Sequence, residues 1–132
     1  MGCIRALSAA IGLFGLAASM PVAALAQFAA PSTEAPDGAK LFGRQCGTCH
    51  SLVPGEVRQG PNLAGVYGRH AGTLPDYKYS AGFAAADWSW DAEHLDPYLT
   101  NPQAVIEGGV MGYRQANPAI RSAIIDYLKD PK

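Results

Sequence analysis

Cysteine is scarce in this chain of 132 residues: there are three, and no second pair follows Cys46 and Cys49. A four-ligand zinc site built on two Cys-x-x-Cys units is therefore excluded. Runs of alternating apolar and polar residues are missing as well, which excludes the strand-rich α/β chain of a thioredoxin-like protein. Positive charge is not in surplus. Lys and Arg number 10 against 11 Asp and Glu, so the basic footprint of a nucleic-acid binder is absent. There are no internal repeats and no low-complexity tract beyond the N-terminal segment.

That segment is built for export. Arg5 and the amino terminus make a positive start, Ala6 to about Ala18 is apolar, Pro21 follows, and Ala24-Leu25-Ala26 fits the small-x-small cleavage rule. Cleavage before Gln27 makes 1–26 a signal peptide. The alternative is an uncleaved anchor, because Ala6 to Ala26 is just long enough to span a bilayer. Its Gly, Ser and Pro content favours removal, and with removal there is no membrane insertion. Cys3 leaves with the signal. What stays is a short leader, 27–34, and one small domain, 35–132, slightly acidic once Arg5 is gone. A domain of this size buries a modest core and often needs a staple.

The run Cys46-Gly47-Thr48-Cys49-His50 supplies one. Two cysteines three apart with histidine next is the attachment pattern of a c-type haem. Each thiol can add to one vinyl group of the porphyrin, and the i, i+3 spacing puts both sulfurs on one side of a helical turn. His50 then reaches the iron from one face. With both thiols on haem, no cysteine remains for a structural disulfide.

The pattern elsewhere is helical. A first helix is expected from near Thr33–Pro36 to about Gln45, with Leu41 and Phe42 inward. Ser51 to Tyr79 is rich in Gly and Pro and reads as wrapping loops. A short helix is expected over 81–86. Another runs from Asp91, its N-cap, to Thr100, with Leu95, Tyr98 and Leu99 inside and Pro97 as a source of weakening or a kink. A further short helix starts at Asn101-Pro102, and 107–113 is a glycine-rich loop. Asn117 caps a last helix with Pro118 at its first position, and Ile120, Ile124, Tyr127 and Leu128 form its apolar stripe. This helix should cross the first, with Gly38 permitting close approach and Phe42 filling the contact.

A haem iron held by one histidine takes a second ligand for electron transfer or keeps an open face for ligand chemistry. Met1 and Met20 belong to the signal, leaving Met111 as the one methionine of the remaining chain. It sits between Gly108-Gly109 and Gly112, an unusual place for a core methionine. His70 and His94, both in polar surroundings, are the rival ligands.

These residues together resemble the class I c-type cytochromes, the family typified by mitochondrial cytochrome c and bacterial monohaem carriers. The resemblance covers nearly all of 33–130. Gly38 and Phe42 match its first helix, and Cys46, Cys49 and His50 its haem motif. Gly60-Pro61-Asn62-Leu63 matches a stretch whose proline carbonyl accepts the ring N–H of the proximal histidine. Arg69 and Gly72 match an Arg-x-x-Gly near the haem propionates. Tyr77, Tyr79 and Trp90 match positions that bond or cover those propionates. Tyr98, Asn101 and Pro102 match the element before the ligand loop. Met111 falls at the axial methionine, Tyr113 at an aromatic position two residues on, and Arg121 and Tyr127 in the last helix.

The resemblance implies an all-α cytochrome c fold around one haem c, with Cys46, Cys49, Pro61, Arg69, Tyr77, Tyr79, Trp90 and Tyr98 holding it and His50 and Met111 on the iron. It implies a periplasmic, monomeric one-electron carrier and not an enzyme. The expected partners are redox proteins such as a quinol-cytochrome c oxidoreductase, a terminal oxidase, a reaction centre or a dehydrogenase. A haem enzyme or gas sensor with a labile sixth ligand, or a fixed cytochrome subunit of a dehydrogenase or oxidase, are the alternatives. Two departures stand out. Phe83 and Gly109 replace an Asn and a Thr that hold a buried water in mitochondrial forms. Gln45, Gln103, Ala104 and Val110 replace the lysines that ring the haem edge.

Overall fold

Asp37 starts the first helix. In the computed structural model, which describes residues 34–132, its side chain accepts from the Lys40 N–H at 3.0 Å and α1 runs Gly38–Gln45. The expected start two or more residues earlier is corrected by this cap: with Asp37 in extended backbone, Pro36 lies outside the helix. The expected signal peptide and the leader up to residue 33 lie outside the described residues.

A 3-10 helix follows at Ala81–Ala85, tighter than an α-helical turn. α2, Ala92–Thr100, is capped by Asp91, whose carboxylate accepts from His94 N–H at 2.9 Å. Pro97 removes one ladder donor, yet the helix continues past it to Thr100, with Leu95 and Leu99 buried. α3 is one turn, Pro102–Val105. α4, Pro118–Lys129, opens on the Asn117 cap, which accepts from Ala119 N–H at 2.9 Å. Among the described residues there is no strand, only an isolated antiparallel bridge between His70 and Ser89.

α1 crosses α4 at Gly38. A Cβ there would lie 2.3 Å from the Ala123 carbonyl oxygen, so no other residue allows this approach. Phe42 fills the crossing, its ring 5.7 Å from that of Tyr127. α4 also packs on α2, where Arg121 grips both oxygens of Asp96 at 2.8 and 3.2 Å and donates to the carbonyls of Gln115 and Ala116. α4 buries Ile125 beside Ile124 and Leu128, widening the apolar face beyond the expected stripe. Among the described residues no helix is long and apolar enough to cross a membrane.

Candidate haem-binding site

α1 ends where the cysteines begin. The Cys46 N–H still bonds to Phe42 O, and Cys46 O accepts from both Cys49 and His50 N–H, at 3.0 and 2.9 Å. This one turn sets both thiols and the imidazole on the same stretch of backbone. The Cys46 thiol is buried, and burial, with Cys49 nearby, pushes its pKa up to about 11. A redox dithiol needs the opposite shift, toward thiolate. Neither sulfur is in a disulfide, and Cys49 Sγ donates to Gln59 Oε1 at 3.2 Å.

His50 is fixed from the other side. Its Nδ1 lies 2.8 Å from the Pro61 carbonyl oxygen, and since a carbonyl only accepts, Nδ1 carries the proton. Nε2 is then the nitrogen with a free lone pair. Burial lowers the pKa of the ring, partly opposed by the bond to Pro61, so the imidazole is neutral and competent as a ligand. Gly60 lies against it: a Cβ there would stand 2.3 Å from His50 Cε1. Backbone bonds from Gly60 N–H to Cys49 O and from Leu63 N–H to Ser51 O, both 2.8 Å, pin this loop to the cysteine turn. The buried Asn62 stiffens it, donating to the carbonyls of Val53 and Glu56 and accepting from Ala64 N–H.

The ten sequence-predicted site residues line one cavity of about 280 Å³. Cys46, Cys49, His50 and Pro61 reach it from the end of α1 and the loop after it. Arg69, Tyr77 and Tyr79 come from the wrapping loops, Trp90 and Tyr98 from around α2, and Met111 from the glycine-rich loop. His70 and His94 do not line it. His70 pairs with Asp87, and His94 stacks on Trp88 with its Nδ1 2.7 Å from Asp91.

Pairing of 68–71 with 88–90 sets Arg69 and Trp90 side by side: Trp90 N–H donates to Arg69 O at 2.9 Å and Gly68 N–H to Trp90 O at 2.7 Å. The Arg69 guanidinium donates to the carbonyls of Asn62 and Ala64, which leaves further N–H donors for an anion. Tyr77 hydroxyl donates to Gln59 O at 3.4 Å. Burial, with Tyr77 and Tyr79 adjacent, pushes Tyr98 up to about 12, and burial also raises Tyr79, so both hydroxyls stay protonated donors.

Met111 is half-buried against the core. Three side chains tie the segment that follows it to the end of α1. Tyr113 hydroxyl donates to Gln45 Oε1, and Gln115 Nε2 donates to Gln45 Oε1 at 3.1 Å and to the Tyr113 oxygen at 3.2 Å.

The residues present fit a haem. Protein interiors hold few voids larger than a water molecule, so a cavity this large with walls of Leu63, Val66, Phe83, Leu95, Leu99 and Ile124 suits a flat apolar group. Two thiols and a neutral imidazole stand at its wall, with Arg69 and tyrosine hydroxyls for its acidic groups. Ser80, on the cavity wall, has a buried hydroxyl with no partner in the protein, which an anionic acceptor would satisfy.

A family model for Cytochrome c matches residues 35–131. The chain belongs to the cytochrome c family. It is similar to cytochrome c2 iso-2 of Magnetospirillum fulvum, 45% identical over 94 residues that cover 70% of this chain and 97% of the relative. It is 38% identical over 104 residues to cytochrome c2 of Rhodopila globiformis, covering 78% of this chain and 98% of the relative. Cytochrome c of Guizotia abyssinica is 39% identical over 102 residues, covering 76% and 92%. This cytochrome is of class I and has the small all-α fold, with one covalently attached haem c. It is a monohaem electron carrier that works with redox protein partners, and not an enzyme.

Sequence reasoning missed several residues of the cytochrome's cavity. Gln59 touches the Cys49 thiol and Tyr77, and Ser80 sits on the wall. Neither residue type marks a site by itself. Gln59 could have been found only by its place directly before Gly60-Pro61.

Proposed function

We propose that this cytochrome is a periplasmic one-electron shuttle between respiratory or photosynthetic redox complexes, in which Cys46 and Cys49 would hold the haem and His50 and Met111 would ligate its iron. The observation that carries the reading is the gathering of these four residues on one cavity, from which His70 and His94 are absent. When bound, the haem supplies the Fe(III)/Fe(II) couple, and a thioether ligand favours the reduced state. Pro61 orients His50 and raises its basicity through the Nδ1–H bond. Arg69, Tyr77, Tyr79, Trp90 and Tyr98 hold or cover the propionates, whose burial is costly without charge-assisted donors. Residues 1–26 direct export and are cleaved before Gln27. The absorption spectrum tests the ligand set: the ferric protein should show the weak near-infrared band of a sulfur ligand, and the ferrous protein should bind carbon monoxide poorly. A ferric protein lacking that band would overturn the assignment.

Phe83 makes the pocket beside Tyr98 dry. Its ring packs 4.8 Å from Tyr79, 6.4 Å from Tyr98 and 6.5 Å from Trp90, all centroid to centroid. It brings no hydrogen-bonding group, and Gly109 brings no side chain, so a water there lacks partners. A dry site disfavours the extra charge of the ferric state. Phe83→Asn should lower the reduction potential by tens of millivolts, measured by spectroelectrochemical titration. An unchanged or raised potential would count against this account.

Docking depends on the surface around the cavity mouth. At the positions of the family's lysine ring, Val110 stands 81% exposed, Gln45 is tied to Tyr113, and Gln103 accepts from Arg114. With neutral side chains at these positions and Arg114 as the charge bonded to one of them, desolvation contributes more to the encounter than long-range steering. Electron-transfer rates to the native partner, followed by stopped flow, should change only weakly between low and physiological ionic strength. A steep fall with salt would reveal a docking field made by the remaining charges.

A further inference from the structure

The ring of Gln45, Tyr113 and Gln115 is closed. Gln45 Oε1 accepts from both partners, and the Tyr113 oxygen both donates to Gln45 and accepts from Gln115. Gln45 is the last residue of α1, directly before Cys46. Tyr113 lies two residues after Met111. The ring thus joins the backbone that carries the attachment cysteines to the backbone that carries the methionine, across nearly seventy positions of sequence. It is the only side-chain bonding between these two segments among the described residues. Arg114, between the two loop members, points to Gln103 instead. The far side of Gln115 is secured too: its N–H donates to Leu99 O at 2.8 Å, and its carbonyl accepts from Arg121 at 3.0 Å.

We propose that Gln45, Tyr113 and Gln115 form a clasp that sets how readily Met111 leaves the iron. The three are positioning residues, acting through the methionine loop. The clasp rests on the reading of Met111 as the sixth ligand. Letting the thioether swing away requires the segment 111–113 to move from α1, and that movement breaks the bonds to Gln45. Each broken bond in a half-buried site raises the barrier, because the freed groups are not fully rehydrated at once. The clasp also accounts for Gln45 itself, whose side-chain oxygen is consumed inward.

Carbon monoxide binding to the ferrous protein reads this directly, since it waits on Met111 dissociation. With saturating carbon monoxide, Gln45→Ala should raise the observed rate about tenfold, two neutral hydrogen bonds being lost. Tyr113→Phe deletes one oxygen, leaves the Gln115–Gln45 bond, and should raise it about threefold. In the double variant the second change should add almost nothing, because the Tyr113 hydroxyl has lost its acceptor. Arg114→Ala, in the same segment and outside the ring, should leave the rate unchanged. Equal rates in wild type and Gln45→Ala would overturn the clasp, as would additive effects in the double variant or an equal rise with Arg114→Ala. Were Gln45→Ala to fold poorly, Tyr113→Phe alone and the control decide the matter. Absence of the near-infrared sulfur band from the wild-type ferric protein would instead overturn the ligand reading, and the clasp with it. A band present together with clasp-independent rates would leave the ligand reading standing.

Discussion

Met111→Ala should keep its haem and lose its character as a carrier. Attachment depends on Cys46 and Cys49, and His50 keeps its place through Pro61 and Gly60, none of which the substitution touches. The thioether is the group that goes. Axial ligands command a span of about 0.8 V in haem proteins, and loss of a ligand that favours ferrous iron should lower the potential by on the order of 0.1 V or more. The near-infrared band should vanish, and carbon monoxide should bind the reduced protein rapidly. Spectra of the ferric protein and a potentiometric titration check all three. A Met111→Ala protein whose potential and slow carbon monoxide binding match those of the native protein would show that Met111 is not the ligand and return His70 or His94 to consideration, against their placement away from the cavity.

Blocking attachment should cost the fold itself. In Cys46→Ala/Cys49→Ala the cavity of about 280 Å³ has nothing bonded in it. At about 24 cal/mol per Å³, leaving it empty costs about 7 kcal/mol. Whole small domains are stable by only about 5–15 kcal/mol. The side chains that line the cavity also come from α2, α4 and the loops, so the loss is shared across the fold and not confined to one end. We expect the double variant, made without bound haem, to lose most of its far-UV helical signal and its cooperative thermal transition. Retention of a sharp transition near that of the native protein would show that the helices hold one another without the prosthetic group.

The starts of two of the three helices with a side-chain cap were legible. Asn117-Pro118 and Asp91 announce α4 and α2, and the structure begins both helices at those residues. The sequence also allows an earlier start for α1, because Pro36 is acceptable in a first turn, and only geometry shows Asp37 taking the cap. Ile125 escaped the stripe because periodicity describes one face, while α4 meets both α1 and α2. Gly38 could be read because a close helix crossing leaves room for nothing larger.

Within the site, the cysteines and His50 announce themselves by adjacency in the chain. The remaining lining residues are spread from 61 to 111, and their convergence on one cavity was visible only through resemblance to a family. Contacts such as Cys49 to Gln59 and Gln45 to Tyr113 depend on which polar side chains tertiary packing happens to oppose. No local pattern encodes them.

The methionine loop is short between fixed ends. Ile106, 1% exposed, anchors its start in the core, and Tyr113 is bonded to α1 at its finish. With Met111 as the ligand, a thioether that lets go of the iron stays on a leash of a few residues. Such a tether holds its group at an effective concentration on the order of millimolar or above. A dissolved small molecule at trace concentration must then compete with a ligand that never diffuses away. On that reading, slow binding of carbon monoxide would come less from the strength with which Met111 is held than from how quickly it returns.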